Sequence, residues 1–228
     1  MTLDDWSALL RSPFFKAVDP RVLRSIAERH PPRAFERGET LFQQGDPAAA
    51  CYAILEGRLK LYRPRVDGDQ AVVSILDAGD IYFEPSMFSG GRCRVSGETT
   101  SSARIMQIGA CALRIAIEKQ PQVAFGMFSC TAQHIDRLVD QVETLKVLTA
   151  SQRVADFLRR RIEAVIGTAM IKLPYEKSLV ASHLGMTPES FSRALADLRK
   201  IGVAVERDHI QIEAVERLAH FVGYAPIH

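Results

Sequence analysis

No run of apolar residues in this 228-residue chain reaches the roughly 18 residues of a membrane-spanning helix. The opening stretch, MTLDDWSALL, carries acids where a secretion signal would carry basic residues. Neither sign of charge dominates, because 29 Lys and Arg residues face 27 Asp and Glu residues. This balance is that of an ordinary globular protein, and we expect a cytoplasmic protein that does not enter membranes.

Cysteine is also scarce. The four cysteines are Cys51, Cys93, Cys111 and Cys130, separated by 42, 18 and 19 positions. This spacing fits neither the disulfide framework of a small secreted domain nor the CxxC pairs of a metal site. We interpret the four residues as reduced thiols, several of them buried, and expect no iron–sulfur cluster.

Glycines divide residues 35–109 into short runs typical of β-strands, after a helical lead over about residues 3–29. These runs are TLFQQG, CYAILEG, RLKLYRP, AVVSIL and ARIMQI. The stretch Val66-Asp67-Gly68-Asp69 contains the Asp-Gly pair of a tight hairpin turn. Strands at this spacing predict an antiparallel sandwich or barrel.

A heptad pattern replaces the glycines from residue 121 to residue 148. One row holds Phe128, Ile135 and Val142, and the other holds Leu138 and Leu145 with Thr131 completing it. These rows predict a two-stranded coiled-coil seam three heptads long. A monomer would leave much of this surface wet, which favours a homodimer. The alternative is an amphipathic helix packed on its own sheet.

The last third of the chain returns to helical patterns. SQRVADFLRRRIEAVIG predicts a helix from residue 151 to residue 167, and MIKLP a short strand. EKSLVASHL, GMT and residues 188–201 follow as helix, glycine turn and helix, closed by Gly202. VAVE and HIQIE predict two strands around a turn at Arg207-Asp208. This order is that of a winged helix-turn-helix, a DNA-binding unit.

The charge distribution agrees with DNA binding. Residues 149–228 contain 11 Lys and Arg against 9 Asp and Glu, whereas residues 1–148 contain 18 of each kind. The whole positive excess therefore lies in the predicted DNA-binding part.

Three polar residues share one face at the start of the second helix. Thr187 is a favoured N-cap and Pro188 a favoured first helical residue, so the helix begins there. Glu189, Ser192 and Arg193 follow at i, i+3 and i+4. In a major groove, Glu can accept from cytosine N4, Arg can bind guanine O6 and N7, and Ser can contact either base. The alternative is a capped helix with a Glu–Arg surface pair.

Two long segments resemble the Crp/Fnr family of bacterial transcription regulators. RGETLFQQGDPAAACYAILEGRLKLY is similar to the opening of the family's sensor domain, at Gly38, Phe42, Gly45, Asp46, Tyr52 and Gly57. LVASHLGMTPESFSRALADLRKIGV is similar to its helix-turn-helix, with Glu189, Ser192 and Arg193 on the E-x-x-S-R positions. The Fnr-like branch reads TTGAT half-sites with those positions. Thr187 and Ser190 complete the set of expected DNA-binding residues.

The resemblance implies an α+β fold in three parts. Residues 1–120 would form an N-terminal antiparallel β-roll, a jelly roll like the cyclic-nucleotide-binding domain, that serves as the sensor. Residues 121–148 would form a long dimerisation helix, and residues 149–228 a winged helix-turn-helix. The protein would act as a homodimer on a palindromic promoter site of the form TTGAT-N4-ATCAA, with RNA polymerase as a further partner.

Two shorter stretches, EPSMFSGGR and TASQRVADFL, look most like the NnrR/Dnr regulators of denitrification within that branch. Those regulators respond to nitric oxide, and some of them bind haem. The sequence names no haem ligand, although His30, His134 and the cysteines of the sensor half are candidate donors. His183 lies in the first helix of the helix-turn-helix, where a packing or phosphate-contact role is expected.

The sensor departs from the cyclic-nucleotide pattern of the family. Members that bind cyclic nucleotides pair Gly-Glu with a later Arg-Ser or Arg-Thr. Glu84 and Arg94 fall on the Glu and Arg positions, but Phe83 replaces the glycine and Val95 the hydroxyl residue. These two changes argue against cAMP as the effector.

Two other classes of function remain as alternatives. The β-roll could belong to a ligand-binding module whose C-terminal helices contact protein rather than DNA. A cupin-type enzyme would need a cluster of His and Glu metal ligands or a nucleophile beside a base, and residues 35–110 show neither pattern. We therefore expect a regulator and not an enzyme.

Overall fold

The computed structural model describes residues 1–16, 18–66, 68–162, 164, 166–174, 176–206 and 209–223. The chain divides into two compact units, Met1–Arg137 and Leu138–His228. Within the described ranges, none of the helices is long and apolar enough to cross a membrane.

Two antiparallel four-stranded sheets form the framework of the first unit. The first sheet has the order β1 (Arg33–Phe35), β8 (Ala103–Gly109), β3 (Ala50–Glu56), β6 (Ile81–Phe83). The second has the order β2 (Thr40–Phe42), β7 (Ser96–Thr99), β4 (Arg58–Pro64), β5 (Gln70–Asp77). Leu59, Ile105 and Met106 are at most 1% exposed, so the apolar residues of both sheets contribute to one buried core. The predicted antiparallel β-roll is confirmed.

Turns set the ends of these strands. The run that starts at Thr40 ends at Phe42 rather than at Gly45, because Asp46 closes a turn by accepting from the Gln43 amide at 2.8 Å. Gly57 joins β3 to β4 with φ +75°, and a Cβ there would collide with the Ser102 carbonyl. The predicted hairpin joins β4 to β5; its Asp67 lies outside the described residues.

Helices precede and follow the β-roll in the first unit. They are α1 (Leu3–Leu9), α2 (Pro13–Lys16), α3 (Pro20–Arg29) and α4 (Ala110–Lys119). Asp5 of α1 is 3% exposed and accepts two hydrogen bonds from Arg104 of β8, at 3.1 and 2.8 Å. Phe14 of α2 packs edge-on against Phe83, with ring centroids 5.2 Å apart. These contacts attach the N-terminal helices to the β-roll.

A 26-residue helix, α5 (Gln122–Val147), follows α4. Its bounds agree within one residue with the predicted helix over residues 121–148. The last ten residues of α5 belong to the second unit, and its earlier part belongs to the first.

The second unit holds three strands and further helices. These are α6 (Ala150–Arg159), β9 (Ala169–Lys172), α7 (Lys177–His183), α8 (Pro188–Leu198), β10 (Val203–Glu206), β11 (His209–Ile212) and α9 (Val215–Val222). The strands form an antiparallel sheet in the order β10-β11-β9, so the predicted MIKLP strand joins the wing. The predicted turn at Arg207-Asp208 lies outside the described residues. Sequence patterns did not predict α9.

The helix predicted over residues 151–167 is wrong at its C-terminal end. α6 begins one residue early, since Thr149 and Gln152 form a capping box. It ends at Arg159, where the Arg161 and Ile162 amides turn back to carbonyls three residues earlier. Ile162 is only 8% exposed, so the tighter turn places its side chain in the core of the second unit.

Candidate nucleic-acid interface

The helix-turn-helix consists of α7, a short turn and α8. Gly185 in the turn has φ +64°, a left-handed conformation that glycine adopts without a steric penalty. The Met186 amide donates to the Ala181 carbonyl at 3.0 Å and thereby closes the C-terminal end of α7. The predicted order of helix, glycine turn and helix is confirmed.

The start of α8 follows from its first residues. The Thr187 hydroxyl accepts from the Ser190 amide at 3.2 Å, and Pro188 is the first helical residue. The hydroxyl oxygens of Thr187 and Ser190 lie 3.2 Å apart, so both groups take part in the cap. The cap fixes where the next side chains emerge from the helix.

Glu189, Ser192 and Arg193 are all exposed on the first turn and a half of α8. Ser192 Oγ donates to the Pro188 carbonyl at 2.9 Å, and Arg193 Nε donates to the Glu189 carbonyl at 3.4 Å. Ser192 therefore keeps its acceptor lone pairs free for another donor. Within the described residues, the Arg193 guanidinium forms no ion pair, so its remaining donors are available for a ligand.

The Glu189 carboxylate is held in its ionised form. Its own backbone amide and the Thr187 hydroxyl hydrogen-bond to it, and the Arg193 guanidinium lies nearby. In that order, these groups lower the pKa of Glu189 below its ordinary value. The positive end of the helix dipole acts in the same direction. At neutral pH an ionised carboxylate acceptor therefore stands beside the Arg193 donors.

The opposite face of α8 anchors it in the unit. Phe191, Leu195 and Leu198 are 1%, 6% and 0% exposed, as the apolar spacing predicts. They join a core that includes Val154 and Leu158 of α6. This packing holds the polar face toward solvent on a rigid support.

Two further cations follow directly after the C-terminal end of α8. Arg199 is exposed, and Lys200 pairs with Asp197 at 3.2 Å, where both side chains are more than half exposed. An exposed pair of this kind contributes little stability. Its lysine can contact an anionic partner at small cost.

The long helix α5 has an exposed apolar row that the heptad assignment found only in part. Phe128, Ile135 and Val142 of the predicted row are 70%, 53% and 49% exposed. Phe125 and Val139, not assigned from the sequence, lie beside them and are 69% and 59% exposed. Together with exposed Ala132, the row at 125, 128, 132, 135, 139 and 142 alternates in steps of three and four.

The second predicted row lies differently on α5. Leu138 is half-buried, and Leu145 is 41% exposed. The Leu145 Cδ2 atom approaches the turn of the helix-turn-helix so closely that a Cβ on Gly185 would lie 2.9 Å from it. Leu145 therefore packs on its own DNA-binding unit.

In the first unit, the residue on the Glu position of the cyclic-nucleotide pattern is hydrogen-bonded within the protein. Glu84 is 1% exposed, and its Oε2 accepts from the Tyr82 hydroxyl at 2.7 Å and from the Arg94 amide at 3.4 Å. Its Oε1 accepts from the Ser86 hydroxyl and amide at 3.2 and 3.4 Å. The Arg94 side chain is exposed. The carboxylate that a nucleotide would need is thus already satisfied.

Stacked aromatic rings lie beside Glu84. The Phe42 ring stacks on Tyr52 and on Tyr82, with centroids 4.7 and 5.7 Å away. Phe42 also covers Gly97, where a Cβ would collide with the ring. Burial raises the pKa of Tyr52 to about 12, and burial with the Glu84 hydrogen bond raises that of Tyr82, so both hydroxyls stay protonated. Tyr82, which the sequence did not single out, completes the network.

The candidate haem donors are scattered in the first unit. His30 and His134 are half-buried, Cys51 and Cys93 are buried, Cys130 is half-buried and Cys111 is exposed. Burial, and to a smaller extent the Arg137 guanidinium, lower the pKa of His134, which keeps the imidazole neutral. In the described part of the chain, no three His, Cys, Asp or Glu side chains gather as metal ligands.

Comparison with known proteins places both units. Residues 32–120 match the cyclic nucleotide-binding domain family, and residues 152–221 match the Crp-like helix-turn-helix domain family. The CRP-like cAMP-activated global transcriptional regulator of Mycobacterium tuberculosis is 27% identical over 216 residues, covering 92% of this chain and 96% of that protein. The fumarate and nitrate reduction regulatory protein of Escherichia coli K12 is 27% identical over 207 residues, covering 89% and 82%.

Solved structures give the same result. A candidate cyclic nucleotide binding protein of Ruegeria pomeroyi DSS-3 is 31% identical, with a TM-score of 0.65 over 97% of this chain and 98% of that chain. The similarity spans both the β-roll and the helix-turn-helix, and the curated relatives are transcription regulators. The chain belongs to the Crp/Fnr family of transcription regulators.

Proposed function

We propose that this regulator binds, as a homodimer, an inverted repeat of the form TTGAT-N4-ATCAA in promoter DNA. The observation that carries the proposal is the exposed face of Glu189, Ser192 and Arg193 on a capped helix of a winged helix-turn-helix. Arg193 would bind guanine O6 and N7, Glu189 would accept from cytosine N4, and Ser192 would contact a neighbouring base. Thr187 and Ser190 would position these residues through the cap.

The homodimer is proposed from the apolar row on α5. Phe125, Phe128, Ile135, Val139 and Val142 are each about half exposed or more. A contiguous apolar surface of this length is typical of an interface, and steps of three and four residues suit a parallel helix pair. A second copy of α5 is the partner that fits, with Leu138 and Leu145 at its margin.

The proposed parts of the regulator are a sensor at residues 1–120, a dimerisation helix at 121–148 and a DNA-binding domain at 149–228. Bound promoter DNA would place the protein beside RNA polymerase, which we propose as its further partner. Half-sites about one helical turn apart would match the two-fold symmetry of the dimer.

For the effector, we propose nitric oxide, with denitrification genes as targets. The support is the likeness of EPSMFSGGR and TASQRVADFL to the NnrR/Dnr regulators. If haem is the receptor, it would supply the iron that binds nitric oxide. Among the candidate donors, His134 is half-buried and its pKa is lowered, so it would offer the neutral imidazole that an iron ligand needs.

We propose that the effector is not a cyclic nucleotide. Glu84 accepts four internal hydrogen bonds, and a nucleotide that used this carboxylate would have to break some of them. Phe83 is fixed against Phe14, and Val95 offers no hydroxyl. The cAMP that activates the mycobacterial relative is therefore not proposed here.

DNA binding is tested by gel shift at fixed salt. The TTGAT-N4-ATCAA duplex should bind at least about 10³-fold more tightly than a duplex with both half-sites scrambled. Equal affinity for both duplexes would refute the assigned sequence specificity, and the absence of any binding would favour the protein-contact alternative.

The effector proposal is tested separately. Haem titrated into the apoprotein should give a Soret band that shifts in His134→Leu, with His30→Leu as the matched control. No Soret band, together with promoter activity indifferent to nitric oxide in cells, would remove the proposal.

A further inference from the structure

The C-terminal end of α5 holds the turn of the helix-turn-helix through two side chains. Gln141 Nε2 donates to the His183 carbonyl at 3.5 Å. One turn further along α5, Leu145 packs against Gly185, where an added Cβ would lie 2.9 Å from the Leu145 Cδ2 atom. All four residues belong to the second unit.

The Gln141 contact adds a side-chain bond to the backbone bonds that close the turn. The last carbonyls of a helix lack partners within that helix. The amides of Leu184, Gly185 and Met186 bond to the carbonyls of residues 180–182, and so none of these three reaches His183. The side chain of Gln141 therefore supplies a donor to this carbonyl from α5.

The position of this turn determines where α8 begins. Gly185 is two residues before the Thr187 cap, and Gly185 keeps its left-handed conformation directly against Leu145. A shift of the turn on α5 would move the Thr187 cap and the exposed residues after it together. The base-contacting face would stay intact while its position changed.

Another contact between α5 and this unit is much weaker. Asp140 and Arg160 approach to 3.8 Å, with side chains 60% and 52% exposed, and Arg160 is also bonded to Asp156. Solvent screens such a pair, so it holds position poorly. Asp140 provides a matched control on the same helix.

We propose that Gln141 and Leu145 are positioning residues that set the spacing between the two half-sites the dimer recognises. This inference rests on the proposed function, because it requires two copies joined along α5. In each copy, α8 is attached to that pair of helices through the Gln141 and Leu145 contacts. The distance between the two copies of α8 then depends on these contacts, whereas base preference depends on the side chains of α8 itself.

The test measures affinity for duplexes in which TTGAT and ATCAA are separated by three, four, five or six base pairs. The wild type should favour one spacer. Gln141→Glu, which keeps the shape but cannot donate, and Leu145→Ala should reduce that selectivity by about tenfold. Both variants should keep the wild-type base preference on a half-site panel and remain dimers in ultracentrifugation. Asp140→Asn should behave as the wild type.

A double-mutant cycle tests the Leu145–Gly185 contact itself. Gly185→Ala strains the left-handed backbone in any background, but its methyl meets Leu145 only when that leucine is present. Gly185→Ala should therefore lower the melting temperature more in the wild type than in Leu145→Ala.

The outcomes separate this inference from the proposed function. A wild type that binds no spacer duplex would overturn both. A wild type that selects one spacer, with Gln141→Glu and Leu145→Ala equally selective, would overturn the positioning role alone. If these variants lose base preference as well as spacer selectivity, the positioning role is also overturned. The contacts would then be needed for the structure of α8 itself. If Leu145→Ala does not fold, Gln141→Glu decides.

Discussion

The cassette, which we define as residues 82–94, and the N-terminal end of α8 use their carboxylates, Glu84 and Glu189, in opposite ways. Glu84 is 1% exposed, and both of its oxygens accept hydrogen bonds from the protein. Glu189 and Arg193 are exposed and keep bonding capacity for a partner. Of these two carboxylates, Glu189 is open to a partner, whereas Glu84 is bonded within the protein.

The physical difference lies in what each site must do without a ligand. A buried carboxylate is costly unless it is hydrogen-bonded, so the cassette stabilises Glu84 with Tyr82, Ser86 and a backbone amide. The exposed groups at the start of α8 need no such bonds, because water satisfies them until a ligand replaces the water. The residue types of the α8 site therefore indicate its ligand, whereas those around Glu84 do not indicate the effector.

The largest effect is expected from disrupting the proposed homodimer, which brings together the Glu189–Arg193 faces of two copies. Ile135→Glu or Val142→Glu would bury a carboxylate in the proposed seam, which costs several kcal/mol per ion even after the surroundings relax. Ultracentrifugation should show monomers, and the inverted repeat should bind no better than a single half-site. Gln133→Glu, exposed on the opposite side of α5, is the control. Dimers in both variants would show that the seam is misassigned.

A second experiment tests the open site directly. Arg193→Ala should cost about 1–3 kcal/mol per half-site and flatten preference at the guanine position. Binding to a panel of half-site variants at fixed salt measures both effects. Arg199→Ala, also exposed on the DNA-binding unit, should weaken all sequences alike. A uniform loss in Arg193→Ala would instead make that arginine a phosphate contact.

The hydrogen bonds of Glu84 predict that mutating a donor lowers the stability of the protein. They also predict that cAMP has no effect on the wild type. Tyr82→Phe removes the 2.7 Å bond to Glu84 and leaves a buried carboxylate with fewer donors. Unfolding by urea should show a loss of about 1–3 kcal/mol. Added cAMP should change neither the melting temperature nor the DNA affinity of the wild type. A rise of either with cAMP would show that the cassette opens.

The smallest effect is expected from Glu189→Ala, which should loosen selection at the cytosine paired with the guanine or at its neighbour. The salt dependence of binding should change little, since a carboxylate displaces no phosphate counterion. Because the pKa of Glu189 is lowered, its charged form persists as pH falls and is lost only below the ordinary Glu range. Selection at that base pair should therefore be equal at pH 7 and pH 5.5, measured on the same panel. A selection that fades by pH 5.5 would contradict the lowered pKa.

Local signals predicted much of the fold and of the DNA-binding face. Thr187 and Pro188 fix the start of α8, because capping depends on neighbouring residues along the chain. Alternating apolar residues and turn glycines identified the main strands of the β-roll for the same reason. Short strands such as β1 and β6 carry too few residues for a pattern. The helix α9 was missed although Val215, Leu218 and Val222 follow helical spacing.

Periodicity and local capping are enough to predict the β-roll, the long helix and the exposed face of Glu189, Ser192 and Arg193. The hydrogen bonds from Tyr82 and Arg94 to Glu84 could not be predicted, because they depend on how the cassette folds on itself. The packing of Leu145 on Gly185, 40 positions away in the sequence, depends on tertiary structure in the same way. A heptad pattern shows which apolar residues share one face of a helix. Which surface buries that face depends on packing between distant parts of the chain.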